Sequence, residues 1–196
     1  MKNLKFCLLF SVFCIILTSC SEDEAYAPKK KAFHHLELPD HRYVELSKKH
    51  PYFFEHSLFA EAFDDTTGTV EPHWINLYYK DFDATIQLTY KDLKKDKKKY
   101  AEIVDDAVKL ANKHQVKAYS IEEIQITTPK NKKYYVYELT GDVPSQFQFY
   151  ATDTNQHFLR GALYFNTATK NDSLAPVIEF IKMDIIHLLN TLEWRN

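Results

Sequence analysis

The sequence predicts an α+β domain in which two long helices lie against one twisted, mostly antiparallel sheet. Six segments are rich in β-branched and aromatic residues or alternate apolar with polar ones, as strands do. Two others carry apolar residues every three or four positions, as an amphipathic helix does. The order along the chain is strands, helix, strands, helix, and most connections between strand segments are short. Short connections favour antiparallel neighbours, since parallel strands need a long crossover.

The chain begins with a segment typical of an exported protein. Met1–Lys5 is short and basic, and the twelve-residue apolar run Phe6–Leu17 follows it. As a helix this run would be about 18 Å long at ~1.5 Å per residue, whereas the hydrocarbon core of a bilayer is about 30 Å thick. Residues 1–19 are therefore predicted to be a signal peptide and not a membrane span.

The end of this segment resembles the lipobox of bacterial lipoproteins. It reads Leu17-Thr18-Ser19-Cys20, with a small residue directly before a cysteine. The resemblance implies cleavage between Ser19 and Cys20, a thioether from Cys20 to diacylglycerol, and acylation of the new amino terminus. Cys7 and Cys14 lie in the removed segment, so Cys20 would be the one remaining thiol. The alternative is an ordinary secretory signal that happens to contain a cysteine.

An acidic run follows the predicted lipid site: Ser21, Glu22, Asp23 and Glu24. Its sign is wrong for binding anionic lipid. It resembles the surface-export signal of lipoproteins in some gliding bacteria, and the alternative is a solvated tether. Pro28 and the three lysines Lys29–Lys31 then favour an extended linker. We therefore predict a signal peptide at 1–19, a lipidated cysteine with a flexible tether at 20–31, and a single globular domain at 32–196.

The elements of the domain follow from its periodicity. The predicted strands are Trp74–Tyr79, Ala84–Tyr90, Ile121–Thr127, Tyr134–Leu139, Gln146–Phe149 and Phe158–Phe165. A first helix is predicted over Lys97–His114. A second is predicted from Asn171-Asp172-Ser173, whose side-chain oxygens can cap free amides, with Pro176 tolerated in the first turn. The arrangement is similar to the PsbP-like α/β/α sandwich, which is an expectation about the fold alone.

Several functional classes are excluded or find no support. The only glycines are Gly68, Gly141 and Gly161, so no glycine-rich loop can cradle a phosphate. A net charge of −2 gives no argument for nucleic-acid binding. Nine histidines are present, but none forms a metal-binding pair such as H-x-x-x-H, and no G-x-S-x-G motif occurs. We therefore expect no cofactor, no metal and no catalytic residues. A protein-binding face built from the abundant strand tyrosines is the first functional surface we expect.

Motifs from both ends of the chain resemble the GldD family of gliding-motility lipoproteins. They are the lipobox, Pro28–Phe33, Ala84–Tyr90, Gln146–Tyr150, Thr152-Asp153, His157–Phe165, Asn171–Ser173 and Glu193-Trp194. The lysine-rich run Lys91–Lys99 departs from the family pattern. The resemblance implies a non-enzymatic role in gliding and type IX secretion. The expected partners are membrane lipid, through Cys20, and other envelope proteins of gliding or secretion; no nucleic acid is expected as a partner. It also implies a lipid-anchored place in the cell envelope, at the outer membrane. The alternative is a lipoprotein hydrolase or small-ligand carrier with a pocket of dispersed acids and histidines.

Overall fold

A computed structural model describes residues 37–47, 49–68, 71–113, 118–128, 132–141, 143–166 and 171–195, with only the backbone of 171–173. The predicted signal peptide 1–19, the lipid site Cys20, the acidic run Ser21–Glu24 and the tether to residue 31 lie outside the described residues. So do residues 32–36 of the predicted domain, and these assignments stay predictions.

The structure contains two long helices and eleven strands among the described residues. The helices are α1 (Lys97–Asn112) and α2 (Asn171–Thr191). The strands before α1 are β1 (Tyr43–Glu45), β2 (Tyr52–Phe53), β3 (Glu55–Ser57), β4 (Glu61–Asp64), β5 (Ile75–Tyr79) and β6 (Ala84–Asp92). The strands after α1 are β7 (Ala118–Thr127), β8 (Lys133–Gly141), β9 (Phe147–Thr152), β10 (His157–Phe165) and β11 (Glu193–Trp194). A short 3-10 turn, Lys80–Phe82, joins β5 to β6.

Seven strands form one sheet in the order β4-β5-β6-β10-β9-β8-β7, and each neighbouring pair is antiparallel. Two small antiparallel pairs, β1 with β3 and β2 with β11, lie outside this sheet. The prediction of an α+β domain with one mostly antiparallel sheet and two long helices is therefore confirmed.

The two helices pack on opposite faces of the sheet. Side chains of α2 join one core cluster together with Tyr134 and Val136 of β8. Side chains of α1 join a second cluster with the alternate β8 residues Tyr135 and Tyr137. Because alternate residues of a strand point to opposite faces, the sheet lies between the helices. In the described part of the chain, neither helix is long and apolar enough to cross a membrane.

The structure differs from the predicted elements in three places. No strand was predicted before Trp74, but this region contains the four strands β1 to β4. These strands have only two to four residues each, which is too short for a period-two pattern to be recognised. Pro176 lies inside α2, beyond its first turn. The first helix begins at Lys97 as predicted, where the Asp96 carboxylate accepts bonds from the amides of Lys98 and Lys99, but it ends at Asn112.

Candidate functional site

A cleft rich in ionisable side chains lies where the edge strand β4 pairs with β5. Its volume is about 540 Å³, and its lining residues come from the segment before β2, the end of β4 and the approach to β5. The lining residues are Lys49, His50, Asp64, Asp65, Glu71, Pro72, His73 and Trp74. A cleft with several converging ionisable groups is the usual first candidate for a binding site.

Hydrogen bonds from two aromatic residues, the buried Tyr52 and the half-buried Trp74, position the wall of this cleft. The Tyr52 hydroxyl donates to the His73 carbonyl at 2.6 Å, and Trp74 Nε1 donates to the Tyr90 carbonyl at 2.9 Å. His73 has a φ of 70°, a left-handed conformation in which its ring packs edge-on against the rings of His50 and Tyr90. Non-glycine residues adopt this conformation rarely, so the surrounding contacts must maintain it.

His50 is the buried ionisable group of the cleft. Its side chain is only 4% exposed, and its Nε2 lies 3.9 Å from Asp64 Oδ1. Its Nδ1 has no hydrogen-bond partner among the described residues. Burial lowers the pKa of His50, although the Asp64 charge opposes this shift. The ring is therefore neutral at neutral pH and retains a nitrogen lone pair that can accept a proton or a hydrogen bond.

The outer side of the cleft carries ion pairs. Lys49 is paired with Asp64, and its hydrogen bond lowers the pKa of that carboxyl. Lys91 is paired with Glu71 and also lies 5.1 Å from the centre of the Trp74 ring. In the described part of the chain no group of three or more histidine, cysteine or acidic side chains is placed to hold a metal ion. The cleft therefore offers hydrogen bonds and charge to a small polar ligand.

A second ionisable constellation is buried between α2 and the strands on its face of the sheet. Asp184 of α2 has a side chain only 1% exposed. His41 Nδ1 donates to Asp184 Oδ1 at 2.6 Å, and the Tyr79 hydroxyl donates to Oδ2 at 3.0 Å. Burial, together with the Asp184 charge and a hydrogen bond to it, raises the pKa of Tyr43 to about 12. One carboxylate of α2 thus binds side chains from two separate segments, residues 41–43 and the end of β5.

One helical turn further on, His187 extends this constellation. Its ring stacks on Tyr43 with centroids 3.5 Å apart, and its Nε2 donates to Glu55 Oε2 at 2.7 Å. The His41 ring stacks in turn on Phe180. The constellation therefore fastens β1 and β3 to α2. The His41, His187 and Glu55 side chains are each about one-third exposed, so solvent reaches the outer side of the constellation.

The structure brings together histidines that are isolated in the sequence. His50 lies beside His73, and His41 lies near His187 across the Tyr43 ring. His157 bonds the Tyr90 hydroxyl at 2.8 Å and stacks on Trp194. No local sequence motif predicts these pairs, because each pair joins residues from distant segments. Asp184 did leave a signal, since it interrupts the apolar face of α2 between Ile181 and Ile185, but sequence reasoning missed it.

The expected tyrosine face is wrong for most of its members. Five of the strand tyrosines are buried: Tyr79, Tyr90, Tyr134, Tyr137 and Tyr150. Tyr78, Tyr135 and Tyr164 are half-buried. These rings contribute packing on the two faces of the sheet, because each face is covered by a helix along part of its length. The large apolar side chains that are exposed lie elsewhere, and Tyr119 on β7 is the most exposed of those described.

The fold and site define a class of protein: a small α+β domain with an antiparallel sheet between two helices and a histidine-containing cleft at one end of that sheet. The sequence model of one family, described as gliding motility lipoprotein GldD, matches residues 23–194. The chain belongs to this family. It is also similar to the solution structure of cyanobacterial PsbP (CyanoP) from Synechocystis sp. PCC 6803, with 10% identity and a TM-score of 0.48, over 81% of this chain and 95% of that one. Comparison with the curated proteins gives no match.

Proposed function

We propose that this gliding-motility lipoprotein is a non-enzymatic component of the outer membrane that holds other proteins of the gliding and type IX secretion machinery. The observation that carries the proposal is the family match over residues 23–194. It is supported by the lipobox at Leu17–Cys20, which predicts a permanent lipid anchor. A single acyl chain binds a membrane only marginally, but each further buried CH₂ adds about 0.8 kcal/mol.

The tether limits where such a component can act. Residues 21–31 reach at most about 36 Å from the membrane at ~3.3 Å per residue. The domain would therefore meet its partners close to the bilayer surface. The acidic run Ser21–Glu24 supports export of the anchor to the outer leaflet, and its alternative as a solvated spacer makes a different prediction for surface exposure.

Complementation of a deletion strain tests the proposal. The full-length gene should restore colony spreading and secretion, and a cleft variant, His50→Gln with Asp64→Asn, should restore both as well. Changing Glu22, Asp23 and Glu24 to Ala should reduce cleavage of the domain by protease added to intact cells, whereas the matched tether variant Lys29–Lys31→Ala should not. If protease cleaves the acidic-run variant as it cleaves the wild type, the run is a spacer and not an export signal.

The cleft beside β4 and β5 favours a second candidate, a carrier of a small polar ligand or a lipoprotein hydrolase. A neutral, buried His50 next to ionised Asp64 is the arrangement that binding or acid–base chemistry would use. If this candidate is right, the cleft variant should be made and anchored normally but should fail to restore gliding. Full complementation by that variant would reject it.

A further inference from the structure

The strand β7 forms one end of the seven-stranded sheet, and most of its residues are exposed. It contains ten residues, whereas β4 at the opposite end has four. Edge strands are usually kept short or carry lysine or proline, because an unpaired edge accepts further strands. Residues Ala118–Thr127 contain neither lysine nor proline. The protective features present are a bulge between Ala118 and Ser120, at the end of the strand where Tyr119 is 82% exposed, and the charges of Glu122 and Glu123, which oppose only strands of like charge.

The register shows which backbone groups of β7 point away from β8, toward the outer side of the sheet edge. The Leu139 amide donates to the Gln146 carbonyl, so the polar groups of Leu139 point away from β7. Leu139 lies opposite Ile121, and the groups of a non-hydrogen-bonded pair point away from each other. Ile121 therefore directs its amide and carbonyl outward. By alternation Glu123, Gln125 and Thr127 do the same, which leaves a row of four residues along the edge.

The charge on this edge selects the kind of strand that fits. Glu122 and Glu123 are adjacent, so they project to opposite faces of the sheet. Glu122 lies opposite Glu138, whose charge is already paired with Lys182 at 3.0 Å. Among the described residues neither Glu122 nor Glu123 forms an ion pair with a basic side chain. Like charges opposite each other destabilise a sheet, and opposite charges stabilise it.

We infer that β7 is the docking edge of the domain, and that it binds an extended segment of a partner protein carrying two adjacent basic residues flanked by β-branched ones. Main-chain bonds to the outward groups of Ile121, Glu123, Gln125 and Thr127 supply the pairing. The two basic side chains reach Glu122 on one face and Glu123 on the other. A second copy of this chain fits less well, because antiparallel pairing of two β7 strands centred on these residues brings four carboxylates together. The inference rests on the proposed holding role.

A synthetic peptide tests the pairing with the full-length lipoprotein in detergent. The probe is acetyl-Val-Thr-Val-Lys-Lys-Val-Thr-Val-amide, and the control peptide has Glu-Glu in place of Lys-Lys. At low salt the protein should bind the lysine peptide at least about tenfold more tightly, since unlike charges replace like ones. The variant Glu122→Lys with Glu123→Lys should reverse this preference. Loss of fold cannot produce a reversal, so an unchanged preference, or no binding of either peptide, would overturn the inference.

A backbone variant separates pairing from charge. Gln125→Pro removes an outward amide and leaves the bonds from β7 to β8 in place, so it should abolish binding of the lysine peptide with the circular dichroism spectrum preserved. The matched control, Gln125→Thr, should bind normally. If the folded proline variant binds as the wild type does, the edge is not the site. If the peptide binds only after Lys29–Lys31→Ala, the lysines of the tether occupy the edge in the wild type, and the inference is overturned. If the protein forms a dimer that Gln125→Pro abolishes, a second copy occupies the edge, and the inference is likewise overturned.

Complementation in cells distinguishes the docking edge β7 from the holding role under "Proposed function". The Gln125→Pro variant should remain membrane-bound and fail to restore gliding, whereas Gln125→Thr should restore it. If Gln125→Pro restores gliding fully, the docking edge is wrong, and the holding role stands on the complementation results described above. If the wild-type gene itself fails to restore gliding, the holding role is wrong whatever the peptide binds.

Discussion

At the scale of single residues, Asp184 explains how the first strands of the domain stay attached to its last helix. A carboxylate this deeply buried must be compensated by hydrogen bonds, because an unpaired buried charge is strongly unfavourable. Two of these bonds come from His41, which lies just before β1, and from Tyr79, the last residue of β5. The residue interrupts the apolar face of α2 and is better explained as a fastening point than as a surface charge.

Removing the carboxylate should therefore destabilise the domain strongly. Asp184→Ala leaves the Tyr79 hydroxyl and the His41 ring without their acceptor and opens a cavity. We expect the free energy of unfolding to fall by about 3 kcal/mol. Asp184→Asn, which keeps one acceptor oxygen, should be less damaging. Urea denaturation followed by fluorescence measures both, and Glu179→Gln on the exposed side of α2 is the matched control. An Ala variant as stable as that control would contradict the fastening role.

Two buried histidines should make stability depend on pH. Burial lowers the pKa of both His50 and His56 from the ordinary value of 6.5. Below pH 6.5 the unfolded chain therefore binds more protons than the folded one, until the lowered folded pKa values are reached. Stability is retained in full above this window and falls as the pH decreases through it.

Urea midpoints at pH 7.5 and pH 5 measure this dependence. The midpoint should be lower at pH 5, and His50→Gln with His56→Gln should flatten the difference. The range stays above pH 4.5 because the lowered pKa values of Asp64 and Asp153 affect stability only nearer their ordinary value of 3.8. A wild-type midpoint that is equal at both pH values would contradict the assignment.

At the scale of elements, periodicity predicted the parts of the chain that are long and packed. The bounds of β6, β8, β10 and α2 agree with the predicted segments to within two or three residues. Their patterns are strong because a whole strand or helix face contributes to one core. The segments β1 to β4 and β11 could not be predicted, since two to four residues carry no period. Both ionisable constellations depend on those short segments, so the site was the part that the sequence could not indicate.

Gly161 in the middle of β10 tests the fit between neighbouring strands. A Cβ atom at this position would lie 2.3 Å from Cε1 and Cζ of the buried Phe149 ring on β9. Gly161→Ala should therefore destabilise the domain by about 1–3 kcal/mol through overpacking. Adding Phe149→Leu should recover part of the loss, a coupling that a double-mutant cycle measures.

Gly68 is the matched control for that cycle. It has a φ of +67° and nothing within 4 Å of an added Cβ, so Gly68→Ala should destabilise by about 1 kcal/mol through backbone strain alone. It should show no coupling to Phe149→Leu. Equal coupling at the two glycines would mean that crowding at Phe149 is not the reason for Gly161.

At the scale of the whole molecule, the anchor and the folded domain are expected to be independent. The contacts of Asp184 and the two cores are formed by described residues of the domain, and Cys20 lies outside that part of the chain. Loss of the lipid should therefore change where the domain is and leave its stability unchanged. This separation allows the location of the protein to be tested without disturbing its fold.

The decisive substitution is Cys20→Ala. Without a thiol no thioether can form, so the protein should move from the carbonate-washed membrane pellet to the soluble fraction of fractionated cells. Its urea midpoint should equal that of the wild type. Cys14→Ala is the matched control, because that cysteine lies in the predicted signal peptide and should leave the protein in the pellet. If washed membranes retain the Cys20→Ala protein, then something other than an acylated cysteine holds it, and the tether no longer limits where the docking edge can reach.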